Sequence, residues 1–91
     1  MSAMASLSEQ LEIELRIWNA KSYQELLAIE YPYTYERGTT GEADWYEVEL
    51  DLLERNDQYV HVSVAIDNGG LSAFFPKSCG VIAYADGRRA D

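Results

Sequence analysis

Cysteine, histidine and proline are scarce in this chain, whose 91 residues include one cysteine, one histidine and two prolines. A single cysteine excludes an internal disulfide bond, and a chain without a disulfide framework is typical of a reducing compartment. Residues 1–10 lack the basic and apolar segments of a secretion signal, and no apolar run approaches the ~20 residues of a membrane helix. We therefore expect a cytoplasmic protein that does not associate with membranes.

Basic residues are also few: 7 lysines and arginines stand against 16 aspartates and glutamates, and the formal net charge is -9. Nucleic acids and anionic membranes both attract basic surfaces, so this charge argues against either as a partner. It fits a soluble protein with a merely solvated acidic surface, and it also fits a protein that binds a basic protein partner.

Motifs that specify a reaction are missing. The sequence contains no glycine-rich nucleotide loop and no HExxH, CxxC or GxSxG pattern. A catalytic cysteine needs a base that lowers its pKa, and the nearest basic residue to Cys79 in sequence is Lys77. A small packed residue at a strand start is the plainer interpretation of Cys79. We expect no cofactor and no catalytic residue.

The clearest regular pattern lies in residues 45–67. Apolar residues occupy every second position of two runs: Tyr46, Val48, Leu50 and Leu52, then Val60, Val62, Val64 and Ile66. Side chains of a strand alternate between its faces, so the runs predict two strands, each with one buried and one wet face. If both apolar faces meet one core, the turn within 54–58 must contain an odd number of residues. We predict three or five residues rather than two.

The N-terminal region shows a helical stripe composed of Leu7, Leu11, Leu15 and Trp18. Ser6 or Ser8 is the expected N-cap, and Ser6 has capping-box spacing to Glu9. The alternation of apolar residues over 11–17 would also suit a strand, but the first and last members of the stripe extend only the helical pattern. We therefore favour a helix, with the acids at 9, 12 and 14 largely off its buried stripe.

A second capping box, Ser22 with Glu25, precedes a short apolar run that Pro32 should end. The pattern is compatible with two helices or with one bent helix. Further on, 31–35 predicts an edge strand or one that begins after Pro32, because proline cannot donate to a ladder. A short strand is expected at 71–75, a loop at 77–80 and a last strand at 81–84.

These elements predict one α+β domain over residues 1–91, with one or two N-terminal helices packed on a three- or four-stranded antiparallel sheet. Residues 1–6 and 88–91 are expected to be loose tails. The expected core is Leu11, Leu15, Trp18, Leu26, Val48, Leu50, Leu52, Val62, Val64, Ile66 and either Val81 or Ile82.

Two groups of residues are candidates for binding a partner. The first is the wet face of the predicted hairpin, with Glu47, Glu49 and Asp51, in a segment that contains few basic residues. The second is a set of aromatic residues, since tyrosine and tryptophan are favoured at interfaces: Tyr31, Tyr33, Tyr35, Trp45 and Phe74. The spacing of the three tyrosines predicts that they share one face.

The leading hypothesis is a small non-catalytic protein-binding module, such as a regulator, an inhibitor or an immunity-type protein, that uses the acidic strand face and exposed aromatics. One alternative is a small metal-binding or enzymatic domain in which His61 works with Glu49 and Asp51. Another is a structural homodimer joined through a sheet edge and the tyrosine segment. The identity of any partner does not follow from the sequence.

Overall fold

A computed structural model describes residues 6–69 and 77–88 of the chain. Two helices pack on one face of a four-stranded antiparallel sheet with strand order β1-β2-β3-β4, which confirms the predicted α+β fold. The elements are α1 (Leu7–Asn19), α2 (Tyr23–Leu27), β1 (Tyr33–Arg37), β2 (Tyr46–Arg55), β3 (Tyr59–Asp67) and β4 (Lys77–Tyr84). Among the described residues, neither helix has the length and apolar character needed to cross a membrane.

Each helix begins at a serine cap. The Ser6 side chain accepts a hydrogen bond from the Glu9 backbone N–H at 3.1 Å, so Ser6 belongs to the fold rather than to a tail. At Ser22 the capping box is complete: its side chain accepts from the Glu25 N–H, and the Glu25 carboxylate accepts from the Ser22 N–H. These bonds satisfy backbone donors that a helix start leaves unpaired. The region therefore forms two helices, and a strand over 11–17 is wrong.

The pairing of β2 with β3 places even-numbered residues opposite even-numbered ones, as the apolar pattern requires. Val48 faces Ile66, and Leu52 faces Val62. Three residues, 56–58, separate the two strand ends, but Arg55 pairs with Val60 and the Asn56 N–H donates to the Tyr59 carbonyl at 3.0 Å, so the number of loop residues does not by itself set the register. A β-bulge at Leu53 then shifts the register by one residue, so that Glu54 faces His61. The bulge leaves Leu53 56% exposed.

The last strand is longer than the sequence predicts. Residues 77–80, expected to be a loop, are the first half of β4, where Ser78 pairs with Ala65 and Gly80 with Ser63. This half is exposed and lacks the apolar alternation that identifies a strand, so only backbone pairing with β3 defines it. The strand expected at 71–75 lies outside the described residues.

The core lies between the helices and one face of the sheet. Its buried apolar members are Leu11, Trp18, Leu26, Tyr46, Val48, Leu50, Val60, Val62, Val64, Ile66, Val81 and Ala83. Leu15 and Leu52, both expected in the core, pack against it while partly exposed. Val81 rather than Ile82 takes the buried position on β4, because Val81 pairs with Val62 on the helix-bearing face. The opposite face of the sheet carries no described helix.

Candidate functional site

The face of the sheet opposite the helices carries six carboxylates, which we call the acidic face: Glu36, Glu47, Glu49, Asp51, Glu54 and Asp67. Three of them form a row across three strands, with Glu36 opposite Glu47 and Glu47 opposite Asp67. Like charges directly opposite on neighbouring strands repel each other. The row therefore costs the sheet stability, by roughly 0.2–1 kcal/mol per like-charged pair.

Basic side chains are kept off this face throughout the described strands. Arg37, Arg55 and Lys77 all occupy register positions of the helix-bearing face, opposite Tyr46, Val60 and Ile66 respectively. None of the ion pairs formed between described residues involves the three predicted acids Glu47, Glu49 and Asp51. The acidic face therefore presents a negative field with no compensating lysine or arginine at a described strand position.

The tyrosines lie elsewhere. Tyr33 and Tyr35 share one face, as their spacing predicts, with ring centroids 5.7 Å apart, but that face bears the helices. Tyr31 packs against the core, and its hydroxyl donates to the Leu26 carbonyl at 2.7 Å. The predicted acids and the tyrosines are consequently on opposite faces of the sheet and do not form one surface. Tyr33 remains the most exposed of the three, at 42%.

Trp45 precedes β2 at the border of the acidic face. Its indole N–H donates to a carboxylate oxygen of Glu36 at 2.7 Å, and the Thr40 hydroxyl donates to the same oxygen. The half-buried ring thus holds one member of the acidic row in place. Phe74, the remaining aromatic candidate, lies outside the described residues.

His61 does not assemble the predicted metal site. His61 lies opposite Glu54, whereas Asp51 faces Ser63 and Glu49 faces Ala65, and the His61 imidazole lies over Gly80 on β4. A Cβ at residue 80 would lie 2.5 Å from the His61 Nε2 atom, so glycine makes room for the ring. Across residues 6–69 and 77–88, no group of three histidine, cysteine, aspartate or glutamate side chains is placed to hold a metal ion.

Cys79 and His61 cannot act together as a nucleophile and its base. Gly80 lies on the face of His61, so its neighbour Cys79 projects to the opposite face of the same strand. The Cys79 side chain is exposed. A catalytic thiol needs its base within hydrogen-bond reach, and the sheet separates these two groups.

The most unusual polar group in the fold is Glu14, a carboxylate of α1 with 0% exposure. Tyr46 donates to it at 2.6 Å, the Arg37 Nε donates at 3.0 Å, and the Tyr35 hydroxyl also donates to it. The Trp18 indole N–H in turn donates to the Tyr35 hydroxyl at 2.7 Å. No buried side-chain nitrogen or oxygen lacks a hydrogen-bond partner within the described part of the chain. The network joins α1 to β1 and β2.

The prediction that Glu14 lies off the buried stripe of α1 is wrong, because its charge alone suggested an exposed position. A positional signal was present, however: Glu14 lies three residues after Leu11 and four before Trp18, which puts it on the buried stripe of α1. An acid at a stripe position predicts a buried partner, since an unpaired buried charge is costly. Tyr35, Arg37 and Tyr46 supply that partnership from two strands.

The network shifts the pKa values of its members in opposite directions. Burial by itself raises the pKa of the Glu14 carboxyl, but the hydrogen bonds from Arg37, Tyr35 and Tyr46, with the charge of Arg37, bring that pKa below its ordinary value of 4.5. Burial and the hydrogen bond to Glu14 raise the pKa of Tyr46 to about 12 and also raise that of Tyr35. The native state therefore favours an ionised Glu14 beside protonated tyrosines.

We expect stability to fall at both ends of the pH range through this network. A lowered folded-state pKa means that the Glu14 contribution is present above pH 4.5 and is lost as pH falls through the folded-state pKa. The Tyr46 contribution is present below pH 10 and is lost as pH rises towards 12. Urea unfolding over a pH series should show that the free energy of unfolding falls at low pH and again at high pH. The fall at low pH should be smaller in Glu14→Gln, and the fall at high pH should be smaller in Tyr46→Phe. Equal pH slopes in wild type and variants would contradict this assignment.

Comparison with known proteins returns no match: neither a family model, nor a curated protein, nor a solved structure is significantly similar to this chain. Any function therefore has to be inferred from the geometry of the chain itself. That geometry brings the predicted acids together on the face that also carries His61, and it places Tyr33 and Tyr35 on the opposite face.

Proposed function

We propose that this chain is a small non-catalytic protein-binding module of the cytoplasm whose acidic face binds a basic surface of a partner protein. The observation that carries the proposal is the segregation of charge among the described strands. Six carboxylates occupy the face without helices, while every lysine and arginine of those strands lies in the register of the other face.

The cost of this arrangement supports binding as its purpose. The row of Glu36, Glu47 and Asp67 places like charges side by side, which destabilises the free protein. A basic partner would remove that repulsion on binding and would be attracted from a distance by the net charge of -9. An inhibitor or immunity-type protein that covers a basic site would use such a surface.

The predicted aromatic residues were expected to contact the partner, but most of them have a structural role instead. Tyr31 and Tyr35 support the core, whereas Trp45 borders the acidic face, where it orients Glu36. Tyr59 and Tyr84, at the end of the same face, were not among the predicted aromatic residues. The binding energy is therefore expected to come mainly from charge pairs. Exposed charge pairs are screened by salt, so the complex should be strongly dependent on ionic strength.

The acidic face is tested by the triple variant Glu47→Lys, Glu49→Lys and Asp51→Lys in affinity capture from a lysate of the source organism. We expect wild type to retain a basic protein at ~0.1 M salt and to lose it at ~1 M, where the Debye length falls from about 10 to about 3 Å. The triple variant should fail to retain the same protein at either salt concentration, because its surface now repels a basic partner.

A matched control reverses the charge of three exposed acids that are not at strand positions of the acidic face: Glu12→Lys, Glu30→Lys and Asp57→Lys. This control should also retain the partner, and its dissociation constant for the purified partner should lie within a few-fold of the wild-type value. Equal retention by the acidic-face variant and the wild type would contradict the proposal. Retention of nothing but further copies of the chain would favour a homodimer instead.

A further inference from the structure

A groove lined by basic side chains, in contrast to the acidic face, runs beside β4. It has a volume of about 650 Å³ and lies between the C-terminal half of α1, the turn into α2 and the end of β4. Three basic residues line it, Arg16, Lys21 and Arg88, and no aspartate or glutamate is among the described residues that do so. In a chain with 7 basic and 16 acidic residues, a lining of this composition is unexpected.

The groove follows the outer edge of the sheet. Its strand side is the consecutive run of residues 82–85, whose side chains alternate between the two faces of the sheet. Consecutive residues of a strand can line one groove only along the strand's edge. β4 is the last strand of the sheet among the described residues, so its outer backbone groups have no strand partner there. An edge of this kind is a template for a further strand.

A second cavity, of about 520 Å³, lies along the same helix and the same strand. Residues 77–79 form its strand side, and Leu11 and Leu15 of α1 supply an apolar wall. The residues of α1 at 8, 12, 15, 16 and 19 thus flank β4 from its first residues to its last. The edge of β4 is accompanied by a basic section at its end and by an apolar section at its start, where Leu11 and Leu15 stand beside the charged Glu12 and Lys77.

The three cations remain accessible to a ligand. Arg16 pairs with Glu12 at 2.8 Å and Arg88 with Asp86 at 3.8 Å, but both pairs are solvent-exposed, and such pairs contribute little. The Lys21 ammonium has an aromatic neighbour, lying 5.9 Å from the centre of the Trp18 ring. The Arg88 guanidinium lies 4.1 Å from the centre of the Tyr84 ring, so its donors stay available beside the groove. A carboxylate arriving in the groove would meet three positive groups.

We propose that this groove binds an extended acidic peptide segment of a partner protein, which adds to β4 as a fifth strand. The main chain of the peptide pairs with the outer edge of β4, and its acidic side chains contact Arg16, Lys21 and Arg88. The apolar section beside Leu11 and Leu15 takes uncharged side chains at the other end of the peptide. This site is separate from the acidic face and has the opposite charge.

The experiment selects ligands from a displayed library of random peptides of about ten residues, long enough to cover the eight residues of β4. The intact chain serves as bait. We expect the enriched peptides to contain two or more aspartates or glutamates clustered at one end. In NMR titrations with one such synthetic peptide, the backbone amides of residues 82–85 should shift more than those of the acidic face. Methylation of alternate backbone nitrogens of the peptide should abolish binding, because it removes the strand pairing.

A charge-matched pair of variants tests the basic side chains. Lys21→Gln should weaken binding of the selected peptide about 3-fold, while Arg55→Gln, which removes one exposed cation outside the groove, should leave it within 2-fold. The triple variant Arg16→Gln, Lys21→Gln and Arg88→Gln should weaken it roughly 10-fold or more. Circular dichroism establishes that each variant is folded.

Several results would overturn the proposal. Enrichment of no peptide, or of peptides without acidic residues, would remove the charge argument. Displacement of the peptide by inorganic phosphate at similar concentrations would identify a simple anion site. Amide shifts confined to the acidic face, or a peptide displaced by a second copy of the chain, would place the interaction elsewhere. The acidic face and its basic partner are tested by a different experiment, affinity capture with charge-reversed variants, so the two proposals fail separately.

Discussion

Replacing Glu14 by alanine is expected to lower the free energy of unfolding by about 2–4 kcal/mol, because an orphaned buried donor costs about 1–3 kcal/mol whereas the remaining Arg37 side chain is 46% exposed and can be hydrated. The substitution leaves the hydroxyls of Tyr35 and Tyr46 without their acceptor and Arg37 without its counter-ion. It also leaves a small cavity under α1. A domain of this length has a total stability of only about 5–14 kcal/mol. The substitution should therefore remove a large share of the free energy of unfolding.

Glu12→Ala is the matched control, because Glu12 lies on the same helix but is 64% exposed and pairs only with Arg16. Its loss should cost about 0.5 kcal/mol or less, as is usual for an exposed pair one helical turn apart. Equilibrium urea unfolding of wild type and both variants measures the difference. A Glu14→Ala protein within 1 kcal/mol of the control would show that the network contributes little to the fold.

Leu26→Ala is expected to cost about 2–5 kcal/mol, the range for emptying a fully buried leucine site. Leu26 is completely buried and is the only buried residue of the five-residue helix α2. A helix this short is not stable in isolation, so its contact with the core must hold it. We therefore expect local loss of α2 as well as a global loss of stability.

Leu53→Ala removes the same atoms from the exposed bulge of β2 and should change the stability by less than about 0.5 kcal/mol. Thermal and urea unfolding give the global effect, and hydrogen exchange at the amides of α2 gives the local one. If Leu26→Ala leaves those amides as protected as in wild type, then the capping box at Ser22 rather than Leu26 holds the helix.

The alternation of apolar residues and the serine caps were sufficient to predict the helical N-terminal region and the two central strands. In β2 and β3, one apolar residue at every second position fixes both the strand type and the buried face, because a slip of one residue would expose the whole set. Ser22 and Glu25 likewise define a helix start through bonds within four residues of each other. These features depend on local geometry, and a single sequence contains all that is needed to infer them.

Features that depend on distant residues were not predictable in the same way. Glu14 is buried because Tyr35, Arg37 and Tyr46 reach it from two strands, and no local pattern encodes that meeting. The first half of β4 is a strand only because β3 offers it backbone partners. Both cases are decided by tertiary contacts, which override local preference.

The candidate site shows the same division. The common face of Glu47, Glu49 and Asp51 follows from alternation within one strand. That the tyrosines occupy the other face depends on how β1 pairs with β2, where Tyr35 lies opposite the buried Val48. Aromatic residues near an acidic strand therefore did not indicate which side of the sheet they would join.

The contact of α1 with β4 has a consequence for synthesis of the protein. The helix that comes first among the described elements packs on the strand that comes last, about 60 residues later in the chain. At 5–20 residues per second, a ribosome needs roughly 3–12 s to make that interval. During this time Leu11 and Trp18 have no completed sheet to cover them. The nascent chain is then most exposed to chaperones and to aggregation, before the final strand completes the surface on which α1 docks.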